Sequence, residues 1–309
     1  MWFVYALITT LAWGVADLFY KKGADGSDKY SHLKTTIAVG IVMGLHAGYM
    51  LIFGDIGYDF KNLLIYLPVS IMYILSMTIG YLGLRYLELS VSSPIQNASG
   101  AVSCILCLIF LNETLDIMSS AAVVLICVGV FFLGVLEKQQ NKIYEADADR
   151  KHKVGFLAIM MPILYCIIDS LGTFFDAYYL DDFATTPLVG VTEDTFEDVA
   201  NVSYELTFLI VAVVLFIYVH VIKKQKIELP KQKDRFAAAI FETLGQFTYV
   251  YAMSGRAVVA APMIASYCIV SVILSRIFLK EKLTVKQYIT VSVVIAGILL
   301  LGIVEGLAE

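Results

Sequence analysis

Charge is scarce in this sequence of 309 residues: Asp, Glu, Lys and Arg make up 16% of it, against 59% apolar residues. A soluble domain carries roughly 25% charged residues, because its surface must be wetted. With a mean hydropathy of +0.79, the chain cannot supply such a surface, and lipid must be its main solvent. Catalytic and nucleotide-binding signatures are missing as well. There is no Gly-rich nucleotide loop, no Gly-x-Ser-x-Gly and no His-Glu-x-x-His. ATP-driven transport by this chain alone, and the common serine and zinc hydrolase chemistries, therefore have no residues to work with. The expectation is a protein that is not an enzyme, with no cofactor, no metal and no nucleic-acid partner. Cysteine is sparse, and Cys104, Cys107, Cys127, Cys166 and Cys268 all fall in apolar stretches, as small buried hydrophobes do. A cleavable signal peptide is not expected either. Met1-Trp2-Phe3 brings no basic residue, and the apolar run continues to Tyr20 without a small-residue cleavage site.

What the sequence has in abundance is apolar runs of spanning length. They lie at about 2–20, 33–54, 63–84, 91–111, 117–136, 154–178, 204–222, 236–254, 257–278 and 286–304. Each is near the ~20 residues that a helix needs to cross a bilayer. Only helices and closed barrels satisfy the backbone in hydrocarbon, and nothing here alternates in polarity as barrel strands do. The reading is an all-α membrane protein of ten transmembrane helices. Its loops sort sharply by charge: alternate connections and the adjoining helix ends hold 20 of the 22 Lys and Arg, leaving Lys61 and Arg256 on the other side. The segment 176–205 carries eight acids, from Asp176 to Glu205, and no base. The positive-inside rule then puts the basic loops in the cytoplasm and both termini outside, with the plasma membrane as the expected location.

The chain also repeats itself. Val91-Ser92-Ser93-Pro94 corresponds to Val259-Ala260-Ala261-Pro262 at a displacement of 168, which also carries Leu111-Asn112-Glu113-Thr114-Leu115 onto Leu279-Lys280-Glu281-Lys282-Leu283. Gly129, Gly134 and Tyr81 map onto Gly297, Gly302 and Tyr249. Earlier in each half, Trp13 to Asp17 resembles Tyr165 to Asp169 at a displacement of 152. Five spans per repeat is an odd number, so the second repeat must enter the membrane inverted, a design that places substrate near the midplane between the halves. The expected units are 1–137 and 154–309, joined by a basic linker at 138–153, with an acidic loop at 179–203 in the second.

These features together resemble the drug/metabolite transporter superfamily, as a pair of EamA-like domains. The residues that carry the resemblance are Ala12-Trp13-Gly14, the proline-led fourth and ninth helices with their Glu113 and Glu281 ends, and a Gly-rich tenth helix. The resemblance implies a ten-helix carrier that moves small metabolites by alternating access.

Ionisable groups at membrane depth cost roughly 3 kcal/mol or more and point to function. Asp17, Asp169 and Glu242 are such groups. Asp17 and Asp169 correspond in the repeat, so two carboxylates would face one low-dielectric site that cannot hold both charges cheaply. That arrangement suits a coupling proton or cation and a cationic or zwitterionic solute; an i,i+4 pair between Asp17 and Lys21 is the structural alternative. Trp13, Tyr165, Tyr249 and Tyr267 could hold an ammonium group by cation–π attraction, and Asn97 and Gln246 offer hydrogen bonds. Pro94 and Pro262 read as openers of their helices, and His46 has no visible partner. The rival readings are an exporter of neutral or aromatic metabolites, or a membrane scaffold or receptor, acting as monomer or homodimer.

Overall fold

The structure is a computed structural model that describes residues 1–25, 28–86, 96–111, 114–145, 156–278 and 283–308, without the side chains of 84–86, 137–145, 156–159 and 308. It is 84% helix, and no strand occurs among the described residues. Eleven α-helices follow in order: α1 (Trp2–Gly23), α2 (Ser31–Phe53), the short α3 (Lys61–Ile65), α4 (Leu67–Tyr86), α5 (Ser99–Phe110), α6 (Ile117–Glu145), α7 (Phe156–Leu180), α8 (Phe196–Phe216), α9 (Lys233–Ala265), α10 (Tyr267–Phe278) and α11 (Val285–Ala308). Seven helical stretches are long and apolar enough to cross a membrane; Leu67–Gly83 and Ser99–Phe110 are apolar but shorter.

One of those seven, Leu229–Phe278, runs for 50 residues. At 1.5 Å per residue it would be about 75 Å long if straight, more than twice a hydrocarbon core of ~30 Å. It does not run straight. Arg256 leaves the helical region (φ −170°, ψ 75°), and Ser266 caps α9, its amide bonded to Met263 O at 3.1 Å. The sequence places Pro262 at the opening of a helix. It lies inside α9 instead, six residues beyond the break. The reason is that the turn at Arg256 starts the new segment, and a proline in its second turn loses only one backbone bond. Pro94, Glu113 and Glu281 lie outside the described residues.

The acidic segment is shorter than its composition suggests. α7 continues to Leu180 and α8 begins at Phe196, not after 203. Glu197 and Asp198 occupy the first turn of α8, where a negative charge faces the positive end of the helix dipole. Their side chains hold the neighbouring helix: Tyr251 donates to Asp198 at 2.7 Å and Ser254 to Glu197 at 3.0 Å. Between the helices, Val189 exchanges two 2.9 Å bonds with the side chain of Asn62, which pins the segment 181–195 over α3.

The helices pack in pairs: α1 along α9, α4 along α7, α2 along α8 and α6 along α11. The α6–α11 contact needs glycine on both sides. A Cβ on Gly129 would collide with Val294, and one on Gly297 would come within 2.8 Å of Ile126 Cγ1. With no hydrophobic drive between helices in lipid, such close approach is what holds them together. Large apolar side chains such as Leu45, Ile52, Phe131 and Leu299 point outward, as a lipid-facing surface requires.

Candidate functional site

Four helices turn one polar stripe each toward a common centre. α1 brings Trp13, Asp17 and Tyr20, and α9 brings Glu242, Gln246 and Tyr249, both at i, i+4, i+7, the spacing that keeps side chains on one face. α7 adds Tyr165, Asp169 and Thr173, and α4 adds Tyr73, Met77 and Tyr81. The stripes enclose a cavity of about 130 Å³, completed by Asn97, Tyr204 and Tyr267. All nine residues singled out from sequence (Trp13, Asp17, Asn97, Tyr165, Asp169, Glu242, Gln246, Tyr249 and Tyr267) are part of its wall. So are residues that the sequence did not nominate, among them Tyr73, Met77, Thr173 and Tyr204. The i, i+4, i+8 recurrence of Tyr73, Met77 and Tyr81 was the available signal, hidden because Tyr and Met blend into the largely apolar sequence of α4.

The chemistry of the wall is one-sided. Among the described residues it holds three carboxyl groups, seven tyrosines and a tryptophan, and no Lys, Arg or His. Asp17 accepts a short hydrogen bond from Ser271. Lys21 does not pair with it: one turn on, its ammonium donates to Ser275 Oγ at 3.0 Å. The alternative of an i,i+4 ion pair gives way to two rungs to α10, which leaves no cationic side chain among the described residues of the wall. Asp169 accepts from Ser76 at 3.1 Å, and Tyr20 donates to Glu242 at 3.3 Å.

Aromatic stacking shapes the rest. The Trp13 ring stacks on Tyr249 (5.2 Å between centroids, 26°) and meets Tyr267 edge-on (6.2 Å, 84°). Its indole N–H donates to the Glu242 carbonyl at 3.3 Å. Gly245 permits this, since a Cβ there would strike the indole. Tyr20 leans on Tyr81 at 4.8 Å. Tyr73 donates to Thr173 at 3.1 Å and shares a 2.6 Å bond with Tyr249, so three helices are tied together by hydroxyls at the cavity floor.

His46 has a partner after all. Its Nδ1 lies 2.8 Å from both carboxylate oxygens of Glu205, which is fully buried. The sequence hid this because Glu205 reads as part of an acidic loop, whereas it lies three turns into α8. The pair joins α2 to α8 behind the cavity wall: Tyr204 and Gln246 face the cavity, while Glu205 and Phe247 face His46.

The family model for EamA-like transporters matches residues 1–135 and 196–303, most of the chain. The chain belongs to the EamA-like transporter family. As an EamA protein it is an integral membrane protein, a transporter of small molecules, and the family's members are transporters, not enzymes. The EamA match omits α7 and the segment 181–195, so Tyr165, Asp169 and Thr173 come from a stretch outside it. No curated protein matches the sequence. A solved structure titled only "Crystal structure of protein" is similar over 99% of this chain and 98% of its own, with a TM-score of 0.67 and 10% identity. That likeness concerns the fold alone.

Proposed function

We propose that this EamA protein is a secondary carrier of small cationic or zwitterionic solutes, working by alternating access and linked to a proton. The observation that carries the reading is the cavity wall, with three carboxyl groups, eight aromatic rings and no basic side chain among its lining residues. An ammonium group satisfies both halves of that chemistry, by charge with Asp17, Asp169 and Glu242 and by cation–π attraction to the rings. With no cationic side chain among the described lining residues, a bound solute or protons balance the acids in this reading.

In this reading the chain crosses the membrane ten times as two inverted five-helix repeats. The break at Arg256 divides the longest stretch into two spans, and the shorter α4 and α5 complete the number. Contacts that obey the displacement of 168 support the repeat. Gly129 abuts Val294 and Gly297 abuts Ile126; adding 168 to Gly129 gives Gly297 and subtracting it from Val294 gives Ile126, so exchanging the halves turns one pair into the other. The helix caps at Ala98 and Ser266 correspond in the same way. Helix pairing agrees: α1 lies on α9 as α7 lies on α4, while α2–α8 and α6–α11 are self-matched. Basic ends gather on one side, where Arg235 of α9 donates to Ser31 at 2.8 Å. Charge then argues for cytoplasmic basic loops and outside termini in a plasma membrane.

A reading as an exporter of neutral aromatic metabolites has its own support in the stacked Trp13, Tyr249 and Tyr267. Proteoliposomes with an imposed proton gradient separate the two. Small amines and amino acids accumulating in response to the gradient, with Asp17→Asn and Asp169→Asn each abolishing the response, is the expected result. If both variants keep wild-type rates and pH dependence, the acids are structural and the cation reading fails. A flat thermal-shift profile across amines, amino acids and aromatic acids would instead favour a scaffold.

A further inference from the structure

Two carboxyl groups outside the cavity are fully buried, Glu205 and Asp176, and they differ in one respect. Glu205 has His46 as its counter-charge. Asp176 has none: among the described residues no Lys, Arg or His lies within ion-pair distance of it. Its Oδ1 accepts a short hydrogen bond from Tyr66, and its Oδ2 has no hydrogen-bond partner at all. An isolated carboxylate deep in protein costs far more than a phenol donor returns, and a membrane setting removes the water that would soften that cost. The remedy available to such a group is to bind a proton.

It sits between two polar regions, the cavity wall on one side and the acidic segment 181–195 on the other. Asp176 continues the polar stripe of α7, one turn beyond Thr173 and two turns, about 10 Å, beyond Asp169. Thr173 accepts from Tyr73, which bonds to Tyr249, and both tyrosines line the cavity. On the other side Tyr66 meets Tyr179 edge-on at 5.4 Å, and Tyr179 donates to Ile65 O near the end of α7. Beyond it lies the segment 181–195 with Asp181, Asp182, Glu193 and Asp194. The titratable groups that interact with Asp176 from the elements around it are Tyr66 beside α4, Tyr73 of α4, Tyr249 of α9 and Tyr204 of α8, with Tyr179 and Asp169 one and two turns away on its own helix; none is cationic.

We propose that Asp176 is a proton-binding site of its own, outside the substrate cavity and one helical turn from the hydroxyl chain of Thr173, Tyr73 and Tyr249 in its wall. Binding forms an O–H at Oδ2 and breaks an O–H of a hydronium ion from the aqueous phase; release re-forms hydronium or protonates a group in the cavity. Its part in coupling rests on the carrier reading above; the binding of the proton does not.

Infrared spectroscopy of the full chain in detergent separates the two. Cavity acids that hold protons contribute carbonyl bands of their own, so the reading is a difference: at neutral pH the wild-type spectrum minus that of Asp176→Asn should show a protonated-carboxyl carbonyl band sensitive to H/D exchange, and the same band should persist in Asp169→Asn. Tyr66→Phe, which changes only the hydrogen bond, should shift it. Wild-type and Asp176→Asn spectra with no difference in the protonated-carboxyl region overturn the proposal. In proteoliposomes, Asp176→Asn should retain exchange of a transported amine but lose its accumulation against a proton gradient. Accumulation in the variant equal to wild type would sink the coupling role. Absence of wild-type transport with the band intact would sink the carrier reading and leave the proton site standing.

Discussion

His46→Ala strips a fully buried carboxylate of its counter-charge, and the cost can be worked from the geometry. Both Glu205 oxygens lie 2.8 Å from His46 Nδ1. At an effective dielectric constant of ~20, unit charges at that separation attract by about 6 kcal/mol. Desolvation cancels part of this in the intact pair; removing one partner forfeits the attraction and leaves a buried carboxylate that, like Asp176, can relieve its cost by taking up a proton, which holds the loss near the lower end of the ~3–5 kcal/mol typical of a broken buried pair. His46 keeps 27% of its side chain exposed, which favours the lower end of that range. Glu205→Gln should cost less, because an amide still accepts a hydrogen bond and carries no charge. In the double variant His46→Ala/Glu205→Gln the stranded charge is gone, so most of the His46→Ala loss should be recovered. Equilibrium unfolding in detergent across the four proteins of this cycle gives the coupling energy directly. A coupling below ~1 kcal/mol would mean that the pair does not clamp α2 to α8 and that solvent or lipid headgroups reach Glu205.

Glycine-mediated packing makes a second prediction: Gly129→Leu or Gly297→Leu should each destabilise by about 1–3 kcal/mol through overpacking, whereas Gly48→Leu, where a Cβ meets nothing, should be nearly silent; thermal unfolding of the three variants tests this. Asp116, just before α6, is held at about 2 by hydrogen bonds from the Ser119 hydroxyl and amide and the Met118 amide, with Arg256 nearby. Its folded value lies below the unfolded one of ~3.9, so its contribution is present above pH ~4 and lost as pH falls toward 2. Amide exchange at residues 118–121 should accelerate over that window, and Asp116→Ala should remove the pH dependence; protection unchanged by the substitution would refute the cap.

The site was legible in the sequence to a degree set by helical periodicity. Asp17, Asp169 and Glu242 announce themselves because charge in an apolar run has few reasons to exist, and Trp13 and Tyr165 follow one turn away. Tyr73 and Tyr204 gave no such signal, since a tyrosine in an apolar helix is equally at home against lipid or a neighbour. Glu205 and Asp176 were misfiled with the surface acids around them. Local sequence counts charges along the chain, but burial depends on which face of α7 and α8 each one takes.

By itself, then, the sequence determined that the chain lives in lipid, that it is helical, and that its two halves echo each other, because hydropathy and periodicity are properties of single segments. Which acids share a cavity, which are balanced by a partner and which stand alone was decided only by tertiary structure. Lys21 shows why. One turn from Asp17 on the same helix, it could have neutralised the carboxylate, and only the packing of α10 against α1 gave it Ser275 instead and left the cavity acidic.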